Sequence, residues 1–303
     1  MSTAITYDRF GGPEVLTLTD VEPALPEAGQ VQIAVRAAGI NLVDVKLRRG
    51  DLAHVFTPKF PVVPGIEVAG VISAVGPGVS AVQVGDAVFG VADAGGYSEL
   101  ALASHVERKP DAADWELAAS FSIVGEAAFR TLKHLGVKAG ERLLIHGAAG
   151  SVGTIATQLA IAQGVEVIGT AGAADLDVVR RRGVTAVAYG PAWKEHVRDV
   201  APDGVDAVLD TAGAGVLPGS IELAGGAERV ITIADEAAIE LGVRFTGPDP
   251  QDRDRAALAK LADLVSGGEL ELPLGRSYPL AEAYKAHEDL EARRNRGKLV
   301  LLP

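Results

Sequence analysis

Residues 141–162 constrain the chain most. They read Glu141-Arg-Leu-Leu-Ile-His-Gly-Ala-Ala-Gly-Ser-Val-Gly153, then Thr154-Ile-Ala-Thr-Gln-Leu-Ala-Ile-Ala162. Residues 143–146 are a short apolar run suited to a buried parallel strand. Residues 147–153 carry no bulky side chain, and beyond them Ile155, Leu159 and Ala162 recur at helical spacing. Strand, glycine turn and helix in that order aim unpaired helix N–H groups at a phosphate. Gly150 lets backbone approach a pyrophosphate, and Gly153 lets helix and strand pack closely. Ala148 stands where the G-x-G-x-x-G fingerprint has its first glycine. A second apolar strand at 165–168 completes the spacing of a βαβ unit, which raises the motif above a bare turn. No Lys-Ser or Lys-Thr follows the glycines, which argues against a P-loop.

The rest of the chain fits a two-domain α/β protein. At 303 residues it is long enough for two cores. Residues 4–7, 16–20, 30–38, 67–75, 87–91 and 96–103 read as short strands between Gly and Pro clusters. A helix is expected at 42–49, capped by Asn41, with Asp44 in its first turn and Gly50 as its stop. From 111 onward strands alternate with helices, the pattern of a parallel sheet covered on both faces. Residues 114–134 read as two helical pieces broken near Gly125. Strands follow at 143–146, 165–169, 186–189, 207–210, 228–233 and 243–246. Helices are expected at 152–163, 174–182, 194–200, 216–222, 254–266 and 280–293, and a last strand at 298–302. Right-handed crossovers then give a doubly wound Rossmann sheet. The last strand is expected to pair with the first domain, making that domain discontinuous: 1–120 completed by 261–303, around 121–260.

Charge and cysteine usage exclude several classes. Net charge is −12, which disfavours a nucleic-acid partner. There is no cysteine, so disulfides, thiolate zinc sites and a cysteine nucleophile are excluded together. The six histidines show no ligand spacing, and no metal site is expected. No stretch approaches about 18 uninterrupted apolar residues, so no membrane span is expected. Residues 1–8 carry no secretory signal pattern, which makes the cytoplasm the default location.

At this point the motifs resemble the medium-chain dehydrogenase/reductase superfamily. They are Pro61-Val-Val-Pro-Gly-Ile-Glu-Val-Ala-Gly70, Gly76-Pro-Gly-Val79, Gly85-Asp-Ala-Val88, His146-Gly-Ala-Ala-Gly-Ser-Val-Gly153 and Gly297-Lys-Leu-Val300, in the family's order across the whole chain. The branch most resembled is the zinc-independent, zeta-crystallin-like quinone oxidoreductases. The resemblance implies a GroES-like β-rich domain beside the Rossmann domain. It implies hydride transfer from NADPH to a quinone or an activated C=C bond, and a homodimer. Ile66 stands where the zinc-using pattern Gly-His-Glu has its histidine, which agrees with metal-free chemistry.

Without zinc, hydrogen-bond donors must stabilise the charge that develops on oxygen. The resemblance points to Asn41 as donor or positioner near the nicotinamide, with Asp44 as an orienter. Asn41 is equally suited to capping its helix. Lys46 is expected in solvent and Glu67 in a structural hydrogen bond; Lys298 is expected to flank the last strand, with reaching the cleft as the alternative. Tyr7, Tyr97 and Phe129 are expected in the core or around the pocket. For the cofactor, the implied contacts are Asn41, Ala148, Ala149, Gly150, Ser151, Val152 and Gly153. Thr170, Ala171, Gly172, Arg180, Tyr189, Thr211, Ala212, Ile233 and Ala234 complete the set. Three departures stand out. Ala127 replaces a threonine of the family's Gly-Leu-Thr-Ala-Tyr, Glu126 is unusual, and the phosphate-binding lysine is absent near Asp175, Leu176 and Asp177. NADPH is expected because the turn after residue 169 is small and neutral, with NADH as the alternative because either aspartate suits a free ribose. A metal-free alcohol or ketone oxidoreductase and a non-catalytic NADPH sensor are the rival readings.

Overall fold

β-Branched and small residues broken by Gly and Pro build the early part of the chain. In the computed structural model, which describes residues 1–93, 95–247 and 252–303, β1 (Ser2–Thr6) and β2 (Thr17–Val21) form an antiparallel ribbon. The main sheet follows with β3 (Val31–Gly39), β4 (Glu67–Val75), β5 (Ala87–Val91), β6 (Leu100–Ala103) and β7 (His105–Arg108). Between β3 and β4 lies α1 (Leu42–Arg49), which starts at Asn41 and stops at Gly50, a residue with φ of 84°. A left-handed residue there suits glycine, which adopts it without a Cβ penalty. α2 (Trp115–Ala118) is capped by Asp114, whose carboxylate accepts from Leu117 N–H at 2.7 Å.

α3 (Ser122–Leu135) carries the chain onward. Gly125 lies inside this helix, and the break in helical structure falls at 119–121 instead. The expected interruption at Gly125 is therefore corrected: a single helical glycine costs only about 1 kcal/mol, and packing overrides it.

The chain then alternates β8 (Arg142–His146), α4 (Ser151–Ala162), β9 (Glu166–Ala171), α5 (Leu176–Arg181) and β10 (Thr185–Ala188). The second half has α6 (Trp193–Val200), β11 (Ala207–Asp210), α7 (Leu217–Ala224), β12 (Val230–Thr232) and β13 (Arg244–Phe245). The six strands are all parallel, in the order β10-β9-β8-β11-β12-β13. The order reverses direction beside β8, the switch point at which doubly wound sheets bind ligands. Leu143, Leu144 and Ile145 of β8 are fully buried, each contributing about 1.5–3 kcal/mol of apolar burial.

α8 (Ala257–Ser266), β14 (Leu274–Pro279), α9 (Ala283–Glu291) and β15 (Lys298–Leu302) close the chain. β15 lies antiparallel to β3, pairing Val300 with Gly39 and Leu301 with Ala38, and β14 extends the sheet in parallel. β7 and β14 are strands that sequence patterning missed; both are short or polar, with little alternation to find. The molecule divides into two compact units. One comprises Met1–Ile123 with Leu258–Pro303, the other Val124–Ala257.

Candidate active site

The parallel-sheet unit builds an anion cradle from backbone. After β8, Gly147 turns with φ of 78°, and Gly150 N–H closes the turn onto the Gly147 carbonyl at 2.9 Å. Gly150 then holds the N-cap of α4 in extended conformation with no side chain to cap it. Thr154 N–H makes the first helical bond to the Gly150 carbonyl at 2.8 Å. The amides of Ser151, Val152 and Gly153 precede it and have no intrahelical acceptor. Three free donors at a positive helix end suit a diphosphate. A Cβ on Gly153 would collide with the Gly147 carbonyl oxygen, so glycine here is what lets α4 sit against the turn. Ala148 is buried against Gly169, and its N–H bonds the Thr170 carbonyl at 3.0 Å.

The second loop follows β9. A Cβ on Gly172 would lie 3.7 Å from the Asp175 carboxylate and 3.8 Å from the Tyr189 ring, so those two side chains flank it. Tyr189 is 60% exposed. Arg180 spends its charge on Asp177 at 2.8 Å, in solvent. Thr170 is turned inward, its hydroxyl 3.2 Å from Nδ1 of His146. The other ring nitrogen of His146 lies 3.1 Å from the Ser220 hydroxyl, and burial pushes this imidazole down to about 4, against a smaller opposing pull from Asp210.

The loops after β11 and β12 are tied together by side chains that sequence reasoning passed over. Buried Asp210 accepts from the amides of Ala212 at 2.9 Å and Gly213 at 3.1 Å, and from the Thr232 hydroxyl at 2.8 Å. Thr232 Oγ1 in turn accepts from the amides of Ala234 at 3.0 Å and Asp235 at 3.1 Å. Thr211 donates its hydroxyl to the His146 carbonyl at 2.7 Å. Thr211, Ala212, Ile233 and Ala234 therefore sit on loops whose shape is fixed by Asp210 and Thr232. An Asp or Thr directly before a turn is the signal that would have found them.

The β-rich unit holds a buried polar cluster. Lys298 Nζ donates to Asn41 Oδ1 at 2.6 Å and to Glu67 Oε2 at 2.7 Å. Asn41 Nδ2 donates to the same Glu67 oxygen at 3.1 Å, while Glu67 Oε1 accepts from Ile123 N–H at 2.9 Å. Glu67 is thus the hydrogen-bonding residue expected. Lys298 is not the strand flank expected; it is buried, because β15 lies inside the sheet between β14 and β3. Asp44 Oδ2 accepts from Asn41 N–H at 2.8 Å and Tyr97 Oη–H at 3.0 Å. Asp44 Oδ1 is buried with no hydrogen-bond partner among the described residues. Burial pushes Asp44 up to about 7; hydrogen bonds from Asn41 and Tyr97 and the Lys298 charge offset only part of that. Sequence gave no hint of this desolvation.

Beyond Asp44 the network runs on. Tyr97 Oη is 3.2 Å from His287 Nε2, and Arg48 Nη1 is 3.4 Å from His287 Nδ1. Arg48 is fully buried and ends on Glu291 at 2.8 Å. Burial, aided by the Arg48 charge, pushes His287 down to about 3. Tyr97 is held well above the ordinary tyrosine range by burial and by Asp44. Arg48 and His287 were not singled out from sequence; Arg48 lies four residues after Asp44 on α1, on the same helix face. Lys46 is exposed and Tyr7 is buried. Glu126 makes a buried ion pair with Arg130 at 2.8 Å and accepts from Asp254 N–H at 2.8 Å, which accounts for its unusual place on α3.

Metal binding finds no donor set. Among the described residues no group of three or more His, Asp or Glu side chains is placed to hold an ion, and the chain has no cysteine. Glu67, beside Ile66, holds an ammonium group instead.

Comparison with known proteins gives two family matches: Alcohol dehydrogenase GroES-like domain over residues 27–111 and Zinc-binding dehydrogenase over residues 176–301. The quinone oxidoreductase of Sus scrofa is 35% identical over 325 residues, covering 100% of this chain and 98% of its own. Among solved structures, mycobacterial Rv1454c complexed with NADPH superposes with a TM-score of 0.87 at 32% identity, each chain fully covered. The Escherichia coli quinone oxidoreductase complexed with NADPH gives 0.88 at 28% identity, covering 99% of this chain and 100% of the other. No described helix is long and apolar enough to cross a membrane.

Proposed function

The chain belongs to the quinone oxidoreductase family of the medium-chain dehydrogenase/reductases, and from that premise we propose that it reduces quinones or activated C=C bonds with NADPH. The observation that carries the reading is the uncapped start of α4, where the amides of Ser151, Val152 and Gly153 converge above Gly150. Such a cradle fits the diphosphate of a dinucleotide, and two relatives of like fold are complexed with NADPH. NADPH supplies the hydride when bound. Asp210 and Thr232 fix the loops that carry the remaining dinucleotide contacts: Thr211, Ala212, Ile233 and Ala234. Thr170, Ala171, Gly172 and Tyr189 serve the adenosine end. Arg180 serves there only by leaving Asp177.

The acceptor gains negative charge on oxygen, and the protein must answer it with donors. We assign that task to the Asn41, Asp44, Glu67 and Lys298 cluster. Asp44, a buried acid whose carboxyl is pushed up by desolvation, is the kind of group that marks a functional site more often than plain core. Asn41 serves as positioner, since both ends of its amide are engaged by Lys298 and Glu67. We assign no step to zinc: one matching family is described as zinc-binding, but the chain has no cysteine and no His, Asp and Glu cluster among the described residues is placed to hold an ion. A homodimer in the cytoplasm completes the reading on family grounds; sedimentation velocity and cell fractionation test it.

The deciding measurement is NADPH consumption with a panel of simple quinones and enones. Turnover with either class supports the reading. Tight cofactor binding without turnover of any acceptor favours the sensor reading instead. Oxidation of secondary alcohols by a chelated sample favours the alcohol oxidoreductase.

A further inference from the structure

We propose that the parallel-sheet unit carries a phosphate-binding site of its own, a pocket at the edge of the sheet where Arg253, Arg255 and the His134 ring have free donors. The inference stands apart from the reductase reading, because it uses none of the residues assigned to the dinucleotide or the acceptor.

The pocket lies between the end of α3 and the segment that leads into α8, wholly within residues 124–257. Its volume is about 360 Å³, at the lower end of the range that small ligands occupy. Arg130, Lys133, His134 and residues 252–256 line it. Two ties hold α3 to β13 behind it. Arg130 Nη1 donates to the Thr246 hydroxyl, and Arg244 Nη2 donates to His134 Nε2 at 3.2 Å. Arg130 and His134 stand four residues apart, on one face of the helix. β13 ends the sheet, with β11 and β12 between it and β8. Three strand spacings, roughly 14 Å, therefore separate it from the strand that feeds the dinucleotide cradle, and β9 lies one strand further still.

Four cations line the pocket, Arg130, Lys133, Arg253 and Arg255, against two acids, Asp252 and Asp254. Behind them Arg244 and Glu126 add one charge of each sign, so the site keeps an excess of two positive charges in a chain of net charge −12. Several of these groups are engaged. Glu126 holds Arg130 at 2.8 Å, Asp254 holds Lys133 at 2.7 Å, and Asp252 accepts from the Thr246 hydroxyl at 3.3 Å. Arg253 is half-buried and Arg255 exposed, and neither meets an acceptor among the described residues. Partial burial pulls Arg253 below the ordinary arginine range, with Glu126 opposing and Arg130 adding. The guanidinium stays charged even so, and a charge drawn out of water without a partner is costly. A guanidinium only donates, so His134 accepts from Arg244 at Nε2 and carries its proton on Nδ1. Desolvation, then the charges of Arg244, Arg130 and Lys133, hold this ring below the ordinary histidine range against a pull from Asp252. Its Nδ1–H also meets no acceptor among the described residues. Three groups from two segments thus bring free donors to one pocket. A phosphate group supplies three acceptor oxygens and about two negative charges, which answers both the donors and the charge; a carboxylate supplies two oxygens and one charge.

The test titrates the full-length protein with inorganic phosphate and with glycerol phosphate, by calorimetry at constant ionic strength in chloride so that screening does not change. Each titration is run with and without NADPH, which competes for the cradle before α4 but not for this pocket. One saturable site is expected, of equal affinity in both cases. Arg253→Gln should weaken it about 10-fold or more, and Arg255→Gln by a smaller factor. Lys59→Gln removes an exposed charge from the other unit and should change nothing. Arg255→Gln, on an exposed side chain, carries the test alone if Arg253→Gln does not fold. Succinate, a dicarboxylate, should bind more weakly than phosphate. Equal or tighter binding of glycerol phosphate identifies a phosphomonoester as the occupant; tighter binding of the free ion identifies inorganic phosphate, and the site stands in either case. No saturable site, a site that NADPH displaces, succinate matching phosphate, or undiminished affinity in the folded variants overturns the proposal. None of these outcomes touches the reductase reading, which fails separately if no acceptor is turned over.

Discussion

Arg48 meets Nδ1 of His287 at 3.4 Å, and that contact fixes the tautomer of a buried ring. A guanidinium only donates, so Nδ1 accepts and the imidazole proton sits on Nε2. Nε2–H then donates to Tyr97 Oη, and Tyr97 donates its own proton to Asp44. Every bond in the line runs one way, from Arg48 one turn further along α1 to a carboxyl group three residues from Asn41. The neutral state that burial imposes on His287 is the state this polarity requires.

Asp44 gives the fold a pH dependence of unusual sign. Its carboxyl is raised to about 7 in the folded chain, against about 3.9 when unfolded. The folded state holds the extra proton between those values, so this contribution is complete below about pH 4 and is lost as pH rises through 7. Between pH 5 and 8 the loss amounts to roughly 2–3 kcal/mol. Asp44→Asn keeps the shape of the neutral acid and should remove it. Urea unfolding of both proteins at pH 5 and 8 checks this; the same pH slope in wild type and variant would contradict the assignment. His146 and His287 act oppositely, costing stability as pH falls below about 6.5, but they are common to both proteins and cancel in the difference.

Asn41→Ala should leave NADPH affinity intact while kcat falls on the order of 100-fold, because Lys298 loses one of its two acceptors and shifts. The same change removes an N-cap and a buried amide, lowering stability by about 1–3 kcal/mol. Steady-state kinetics at a temperature well below the variant's Tm separate the two effects. Turnover equal to wild type would make Asn41 a helix cap and nothing more.

The two glycines of the cradle should respond differently to alanine. At Gly153 a Cβ strikes the Gly147 carbonyl, so α4 must move off β8; both Tm and NADPH affinity should drop. At Gly150 the nearest atom to a Cβ is the Gly147 oxygen at 3.3 Å, which needs only a small adjustment. Gly150→Ala should therefore fold normally yet bind NADPH at least about 10-fold more weakly, since the methyl group occupies the space a phosphate approaches. Fluorescence titration beside thermal melts shows whether the two losses part in this way.

Chelation offers a simpler check. Prolonged dialysis against EDTA should leave NADPH-dependent turnover unchanged, because the chain has no cysteine and the described residues hold no cluster of His, Asp and Glu placed to bind zinc. Activity lost on dialysis and restored by zinc would refute the metal-free reading.

What was legible in the sequence follows from the range of each signal. The βαβ core could be read because its evidence is local: an apolar run, a glycine turn and a helical repeat within 22 residues at 141–162. α1 was equally clear, with Asn41 and Gly50 marking both ends. The active cluster was only half legible. Asn41, Asp44 and Glu67 stood out through motif resemblance, but Lys298 reaches them only because β15 pairs with β3, a contact 257 residues away in sequence from Asn41. The desolvation of Asp44 likewise depends on burial that no local pattern encodes. Gly125 misled because helix propensity is weak against the packing of a 14-residue helix.

Cofactor preference turns on Asp175. Its carboxylate and the Tyr189 ring flank Gly172, just past the end of β9, where Rossmann domains read the ribose. A 2′-phosphate bound there meets a like charge, worth about 1 kcal/mol at 4 Å in water-like surroundings and more where water is excluded. Arg180 is held by Asp177, so binding the phosphate requires that pair to open, and a solvent-exposed pair is weak enough to do so. Asp175→Asn should thus tighten NADPH roughly 5-fold or more, while NADH, which loses a charged acceptor for its 2′-hydroxyl, binds somewhat less well. Arg180→Ala should weaken NADPH and leave NADH unaffected. Paired titrations of both cofactors on the three proteins decide it. If Asp175→Asn leaves the NADPH-to-NADH affinity ratio where it was, Asp175 faces away from the ribose, and the discrimination lies with Arg180 and Tyr189.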